Sequence, residues 1–406
     1  MKRSGMLGVV LLGLLPACGD EGGSSPELRP LSDRPAFAAV LTDFQSTAIA
    51  MLDEEATVLD DAWLTSGTRS PGLVAALSGD VVLASGSGPD DALTVIDRLD
   101  TDVITRIRMP SGDIIGQLRA QTDRDYASNP QDVVITGPDR AWVTRFEPNL
   151  DPSEPAEGGT DLVGFDPTTL ERNGERIDLS RFDSTVDGEV VPARPSQIAA
   201  VGDRLVVGLA RLSLDFMTAA PGRIAVVDPE GDATSLELSP QLQNCGGVSP
   251  VPGARDRALV ACLGLFADPR PGAGLLEIER TGDGFVVLHI WRPADDPDRP
   301  LAVRSATSLG AGRVVAVASG DFSEGTNDRL YDIDLTTGEA VPVTESAGAF
   351  ELGASAYDPE TGRLLVPDAS EGIELWRRAA DGLEREGIVL RDSSTGLPPR
   401  DVTLVR

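Results

Sequence analysis

Histidine occurs once in these 406 residues, at His289, and lysine once, at Lys2. A single imidazole removes most of the acid–base and metal chemistry that relies on that ring. The surrounding FVVLHIW puts His289 on the strand face of Phe285, Val287 and Trp291, where a packed histidine is expected in preference to a catalytic base with no orienting partner. Aromatic residues make up only 4%, which weakens a sugar-stacking lectin. Basic blocks are missing as well. With 65 acidic against 35 basic side chains and a net charge of -30, the chain is a poor ligand for phosphate backbones, and nucleic acid is not an expected partner. No GxSxG elbow, P-loop, GxGxxG fingerprint, HExxH, EF-hand loop or CxxCH is present. No apolar run crosses a hydrocarbon core of ~30 Å. At 41% apolar the chain is nevertheless too hydrophobic to be disordered throughout, and its length suits one large β domain or two ordinary ones.

What is present begins with an address. Lys2 and Arg3 precede an apolar run, Met6 to Leu15, which has the length of a signal h-region. It ends in Leu15-Pro16-Ala17-Cys18, which resembles the lipobox of bacterial lipoproteins. The resemblance implies that residues 1–17 are a signal peptide, removed by cleavage before Cys18, and that the Cys18 thiol carries diacylglycerol as the lipid anchor. Two or three acyl chains at ~0.8 kcal/mol per methylene hold a protein on a bilayer. Gly19 follows, not the Asp of an inner-membrane retention signal, so the outer membrane is favoured, with the periplasmic or surface side left open. Residues 18–35 read as a Gly/Ser/Pro-rich flexible tether. Beyond residue 17 the chain keeps all 65 acids and 33 of its bases.

From residue 36 onward, short Val/Ile/Leu strands alternate with Gly, Asp and Pro turns, the signature of an all-β architecture. One phrase recurs: an apolar strand ending in Asp, a short turn, and a second strand. It is found at 93–109, 162–179, 223–238 and 329–343, with Asp97, Asp166, Asp228 and Asp334 in the same place. An Asp there accepts backbone N–H groups two residues on and fixes the turn. A second phrase, two strands joined by a tight turn, stands at 132–146, 197–212, 304–320 and 353–370. Two hairpins per ~45–60 residues make the four-stranded blade of a β-propeller. The phrases resemble the YVTN-type bacterial propeller repeats, with Trp142-Val143-Thr144 nearest the namesake motif.

Residues 36–406 are therefore read as a single β-propeller. Six blades fall near 71–110, 127–183, 190–240, 241–293, 301–346 and 347–392. Residues 36–59 supply three strands, and PPRDVTLVR (398–406) matches the opening strand of a blade. The economical solution is a seventh blade closed by the C-terminal strand, which leaves few open sheet edges; six or eight blades are the alternatives.

Cys245 and Cys262 flank the turn VPGARD, whose midpoint is also theirs, so they are expected as a disulfide in an oxidising compartment. With strands labelled a to d outward from the axis, the a–b and c–d turns are mostly short. The b–c links 147–160, 213–222, 266–274 and 321–328 are long, as are the d–a links 110–130 and 184–196. Long insertions gathered on one face mark a binding surface. Phe146, Phe216, Phe266 and Phe322 stand at or near the starts of the four b–c links and form a candidate rim around the channel mouth. Acidic groups Asp123/Asp125, Asp295/Asp296/Asp298 and Asp321/Glu324/Asp328 offer oxygen ligands for Ca²⁺ but follow no closed spacing; no other cofactor or metal is indicated, and no catalytic residue. The leading expectation is a lipid-anchored, monomeric, noncatalytic propeller that binds a protein or cell-envelope ligand through its long-loop face. A lactonase-like or other hydrolase with a divalent cation held by mouth carboxylates is the alternative, and a structural spacer the third class.

Overall fold

The strands FAAVLT (Phe37–Thr42) and TAIAML (Thr47–Leu52) are buried at every residue. A strand apolar on both faces must be covered by a sheet on each side, and a ring of stacked sheets does this for every member. The computed structural model describes residues 27–85, 91–98, 101–123, 125–265, 272–282, 284–293, 303–380 and 382–405. Seven four-stranded antiparallel sheets form a seven-bladed β-propeller, and no α-helix occurs among the described residues.

Blade 1 takes its innermost strand from the C-terminus: Pro399–Leu404 pairs antiparallel with Phe37–Thr42, from Phe37↔Leu404 to Leu41↔Pro399. Thr47–Leu52 and Val58–Thr65 complete it outward. Blades 2 to 7 follow at 81–119, 130–178, 195–237, 247–291, 303–345 and 356–389. Apolar side chains collect in seven slabs, one in each gap between neighbouring blades. Ile96, Ile104 and Leu118 of blade 2, for example, meet Val133, Val143 and Phe165 of blade 3, and Leu365 and Ile373 of blade 7 meet Phe37, Ala39 and Val402 of blade 1.

Within the propeller two stretches depart from the sequence expectation. Residues 110–130 were expected to form one long d–a link, yet Ile114–Arg119 is the outer strand of blade 2. The Ser-Gly-Asp at 111–113 makes a hairpin turn: the Gly112 N–H reaches the Arg108 carbonyl, with Gly112 at φ +78. Blade 2 accordingly begins at Val81–Leu83, and its repeat phrase is out of phase by one strand. Asp97 closes strand b and accepts the Ser78 N–H (2.7 Å), so it is not the counterpart of the other three. Asp53 is that counterpart, taking the Glu55 and Thr57 N–H groups, as Asp166 takes those of Thr168 and Thr169 and Asp334 those of Thr336 and Thr337. The second departure is the 184–196 link, which contains a hairpin of its own, Ser184–Val186 with Glu189–Val191.

Residues 27–35, expected as the end of a flexible tether, instead lie along the groove between blades 1 and 2. The Leu31 N–H bonds the Pro110 carbonyl (2.9 Å), the Trp63 indole donates to the Arg29 carbonyl (2.9 Å), and Leu31 is buried against Trp63 and Leu77. In blade 5, Gly247–Val251 and Ala254–Leu263 pair with Gly247 opposite Ala261. That register brings Cys245 beside Cys262, and the two form a disulfide. At a separation of 17 residues such a bridge contributes roughly 3 kcal/mol in the chain-entropy treatment.

Removing Asp401–Arg406 strips the inner strand from blade 1 and uncovers the slab it shares with blade 7. Loss of the buried Val402 and Val405 side chains costs about 3–6 kcal/mol before any ladder bonds are counted. Thermal melts should show the truncated chain unfolding well below the full one; coincident melts would rule out closure by this strand.

Candidate functional site

Every inner strand enters from the end of the ring that carries the b–c and d–a links, so the first residues of strand a surround the channel mouth on that face. Side chains at the third position tie neighbouring inner strands together. Asp132 accepts the Ile198 N–H of blade 4 (3.0 Å) and the Ser85 N–H of blade 2 (2.9 Å), and Gln197 accepts the Val248 N–H of blade 5 (3.0 Å). Between blades 7 and 1 the backbone itself does this: the Val402 N–H donates to the Ala354 carbonyl (3.0 Å). Burial pushes the Asp132 carboxyl up to about 6 against its hydrogen bonds. It pushes the matching Asp401 up to about 7, with Arg98 opposing and Asp132 adding to the rise.

Above this ring lie pairs of arginine and phenylalanine. Phe146 and Phe216, two of the sequence-predicted rim residues, stack at 6.4 Å between centroids and 8° between planes. The Arg194 guanidinium lies 5.0 Å from one ring and 4.3 Å from the other, contacts typical of cation–π attraction. Arg194 is fully buried and satisfied: it donates to the Leu212 carbonyl (2.9 Å), the Ser213 carbonyl (3.2 Å) and the Glu147 carboxylate. Phe322 belongs to a different group, stacked on Phe350 at 5.1 Å and 15°, with Arg304 5.2 Å from the Phe350 ring. Phe44 forms a third, 5.5 Å from the Arg400 guanidinium. Phe322 is 74% exposed, Phe44 64% and Phe216 43%, whereas Phe146 packs half-buried beside Ala210, Leu212 and Ala219. Phe266 and Cys18 lie outside the described residues, as do Asp295, Asp296 and Asp298.

Sequence reasoning missed Phe44, Phe350 and the arginines. A signal for the latter was present, since Arg194, Arg304 and Arg400 each stand within one residue of the start of an inner strand, in RPSQ, VRSA and PRDV.

Of the remaining acidic candidates, Asp123, Asp321 and Asp328 have other occupations. Asp328 is buried and accepts four backbone N–H groups, from Gly320 (2.7 Å), Phe350 (3.0 Å), Glu351 (2.7 Å) and Leu352 (2.9 Å). It thereby fixes the connection that carries Phe350. Asp102 holds the Ser128 and Asn129 N–H groups in the same way ahead of blade 3. Asp321 turns onto the Ser323 and Glu324 N–H groups of its own loop, and Asp123 accepts the Ser153 N–H. Among the described residues no group of three or more His, Cys, Asp or Glu side chains is arranged to hold a metal ion. His289 is half-buried on the outermost strand of blade 5, Gly284–Trp291, opposite Glu277, away from the mouth. Glu157 and Asp161 both pair with the buried Arg145 at 2.7 Å, which pins the long 147–160 loop.

No protein-family model matches the sequence, and no curated protein does either. Solved structures do. A protein from Bacteroides fragilis provisionally assigned as a 6-phosphogluconolactonase superposes with a TM-score of 0.57 at 10% identity, over 92% of this chain and 99% of its own. One from Bacteroides uniformis with the same provisional assignment gives 0.56 at 12%, over 92% and 100%. A hypothetical selenium-binding protein from Sulfolobus tokodaii gives 0.57 at 14%, over 93% and 96%. The chain is a seven-bladed β-propeller, and at these identities the likeness is one of fold.

Asp132 and Asp401 supply a pH test of the inner ring. Both carboxyls titrate above the ordinary value of 3.8. Between about pH 4 and 7 the folded chain therefore holds protons that the unfolded chain has released, so their contribution to stability falls as pH rises through that window. Asp401→Asn removes one of them. Urea melts should show the variant gaining on the parent from pH 4 to 8, and a constant difference would refute the assignment.

Proposed function

We propose that this chain is a lipid-anchored, noncatalytic propeller of the cell envelope, built from YVTN-type repeats, that binds a protein or envelope ligand on its long-loop face. The observation that carries the reading is the exposure of Phe44, Phe216 and Phe322 around one end of the channel. Phe44 and Phe216 lie against guanidiniums and Phe322 on the Phe350 ring that Arg304 covers, and such groups resemble the aromatic and arginine anchors that dominate binding energy at interfaces. Among the described residues, the a–b and c–d turns at the other end carry no exposed phenylalanine. Attachment is assigned to Cys18, in the outer membrane. Since residues 27–35 are held in the groove between blades 1 and 2, only residues 19–26 separate the anchor from the propeller, a reach of at most about 30 Å. The binding face therefore works close to the bilayer.

A second reading has its own support. Asp132 and Asp401 bring two carboxyls into one electrostatic neighbourhood beside Arg98, and two solved structures of the same fold carry provisional lactonase assignments. In that reading a divalent cation recruits mouth carboxylates for hydrolysis.

Two measurements separate these readings. Crosslinking in native envelopes should recover a partner with the parent chain and lose it when Phe44, Phe216 and Phe322 are changed together to Ser, while Cys18→Ser moves the chain out of the membrane fraction. Retained capture by the folded triple variant would sink the leading reading. On that reading Ca²⁺ and chelator leave the melting temperature unchanged; a metal-dependent rise would favour the hydrolase.

A further inference from the structure

Arg304 and Arg400 differ from Arg194. Both stand at the second position of an inner strand, in blades 6 and 1, and the small residues Gly353 and Ala354 enter blade 7 between them. Both converge on Phe350: Arg304 lies over its ring and Arg400 donates to its carbonyl. Neither has a full set of acceptors. Arg304 Nη1 and Arg400 Nε are out of water with no hydrogen-bond partner. The nearest carboxylate, Asp328, is 3.7 Å from Arg304 Nη1, and its oxygens are already occupied by four backbone N–H groups. Arg400 makes no ion pair among the described residues, in contrast to Arg194 and Arg145. Burial depresses both guanidiniums below their ordinary range; for Arg304 the neighbouring Arg400 adds to the effect and Asp328 opposes it, and for Arg400 Glu351, Asp328 and Asp368 oppose it.

Two like charges held together in a half-buried setting, with donors left over, are unfavourable for the free protein and favourable once an anion arrives. A carboxylate or a phosphate supplies what is missing, because guanidinium N–H groups match planar or tetrahedral oxygens in pairs. A quarter of the Arg304 side chain (26%) remains open to solvent, and the adjoining Phe322 ring is free on its outer side. The net charge of -30 does not preclude this, since charges farther off than about 8 Å are largely screened at physiological ionic strength.

We propose that Arg304 and Arg400, flanking the Phe322–Phe350 stack at the channel mouth, bind the oxyanion group of a small ligand whose apolar body rests on Phe322. This deepens the reading of the long-loop face as the binding face and rests on it. The test is titration calorimetry of the full chain with inorganic phosphate and with benzoate, at constant ionic strength set with chloride. Binding of either probe in the millimolar range or tighter supports the site, and the probe that binds identifies a phosphoryl or a carboxylate ligand. R304Q and R400Q should each weaken it at least tenfold, and a cooperative melt of each variant shows that the loss is not one of folding. R400K keeps the charge and should retain part of the affinity. The proposal is overturned if neither probe binds the parent, or if binding is unchanged in both folded Gln variants. Failure here with loss of partner capture in the Phe-to-Ser variant would leave the binding face standing without an anion site; failure of both would remove the face.

Discussion

Pairing of the last strand with the first is the constraint on which the rest of the molecule depends. Each apolar slab needs a blade on both sides, so an open row of seven sheets would leave two faces uncovered, and only a closed ring covers all of them. Pro399–Leu404 closes it by completing a blade whose other three strands begin at Phe37. The entropy of bringing such distant segments together grows only logarithmically with length, by about 0.6 kcal/mol per doubling, which burial of Phe37, Leu41 and Val402 readily offsets. Closure also fixes the channel. The inner strands can be linked by Asp132 and Gln197 only because each has a neighbour at a set distance on both sides.

Much of this was legible in the sequence because its determinants are local. An Asp that fixes a turn two residues on, a hairpin bracketed by Cys245 and Cys262, and a terminal PRDV that echoes PQDV and PSQI all leave their mark within a few residues. Blade 2 was misphased for the same reason. Its inner strand is only Val81–Leu83, too short to register as a repeat phrase, so Asp97 was aligned with turn residues it does not match. The mouth was only half legible. Phe44 meets Arg400 across 356 positions, and Arg304 meets Phe350 only once blades 6 and 7 are side by side. No local pattern encodes such meetings; ring closure does.

The acidic composition is likewise largely architectural. Asp53, Asp166 and Asp334 each tie a turn by accepting backbone N–H groups, and Asp102 and Asp328 clamp the passages from one blade to the next. Such a carboxylate satisfies donors that strand ends would otherwise leave unpaired. Repeating the device around a ring accumulates negative charge without any cationic partner being implied. Asp161 and Glu157 go further and neutralise the buried Arg145, so even the ion pairs of blade 3 serve the loop they hold.

Against that background the mouth is distinguished by the sign of what is left over. The buried Arg145 of blade 3 and Arg194 at its junction with blade 4 are paired with carboxylates. At the junction of blades 6, 7 and 1, Asp328, Glu351 and Asp368 act on Arg304 and Arg400, but the Asp328 oxygens also hold the Phe350 connection in place. The clamp that positions the aromatic stack faces Arg304 at 3.7 Å without accepting a hydrogen bond from its Nη1. Structure and site are coupled there through one side chain: the Asp328 oxygens order the blade 6 to blade 7 passage and leave that guanidinium N–H without an acceptor. Arg304 Nη1 and Arg400 Nε are left without acceptors beside an exposed ring, Phe322, and it is this combination of spare donors and open apolar surface on which the proposed anion site rests.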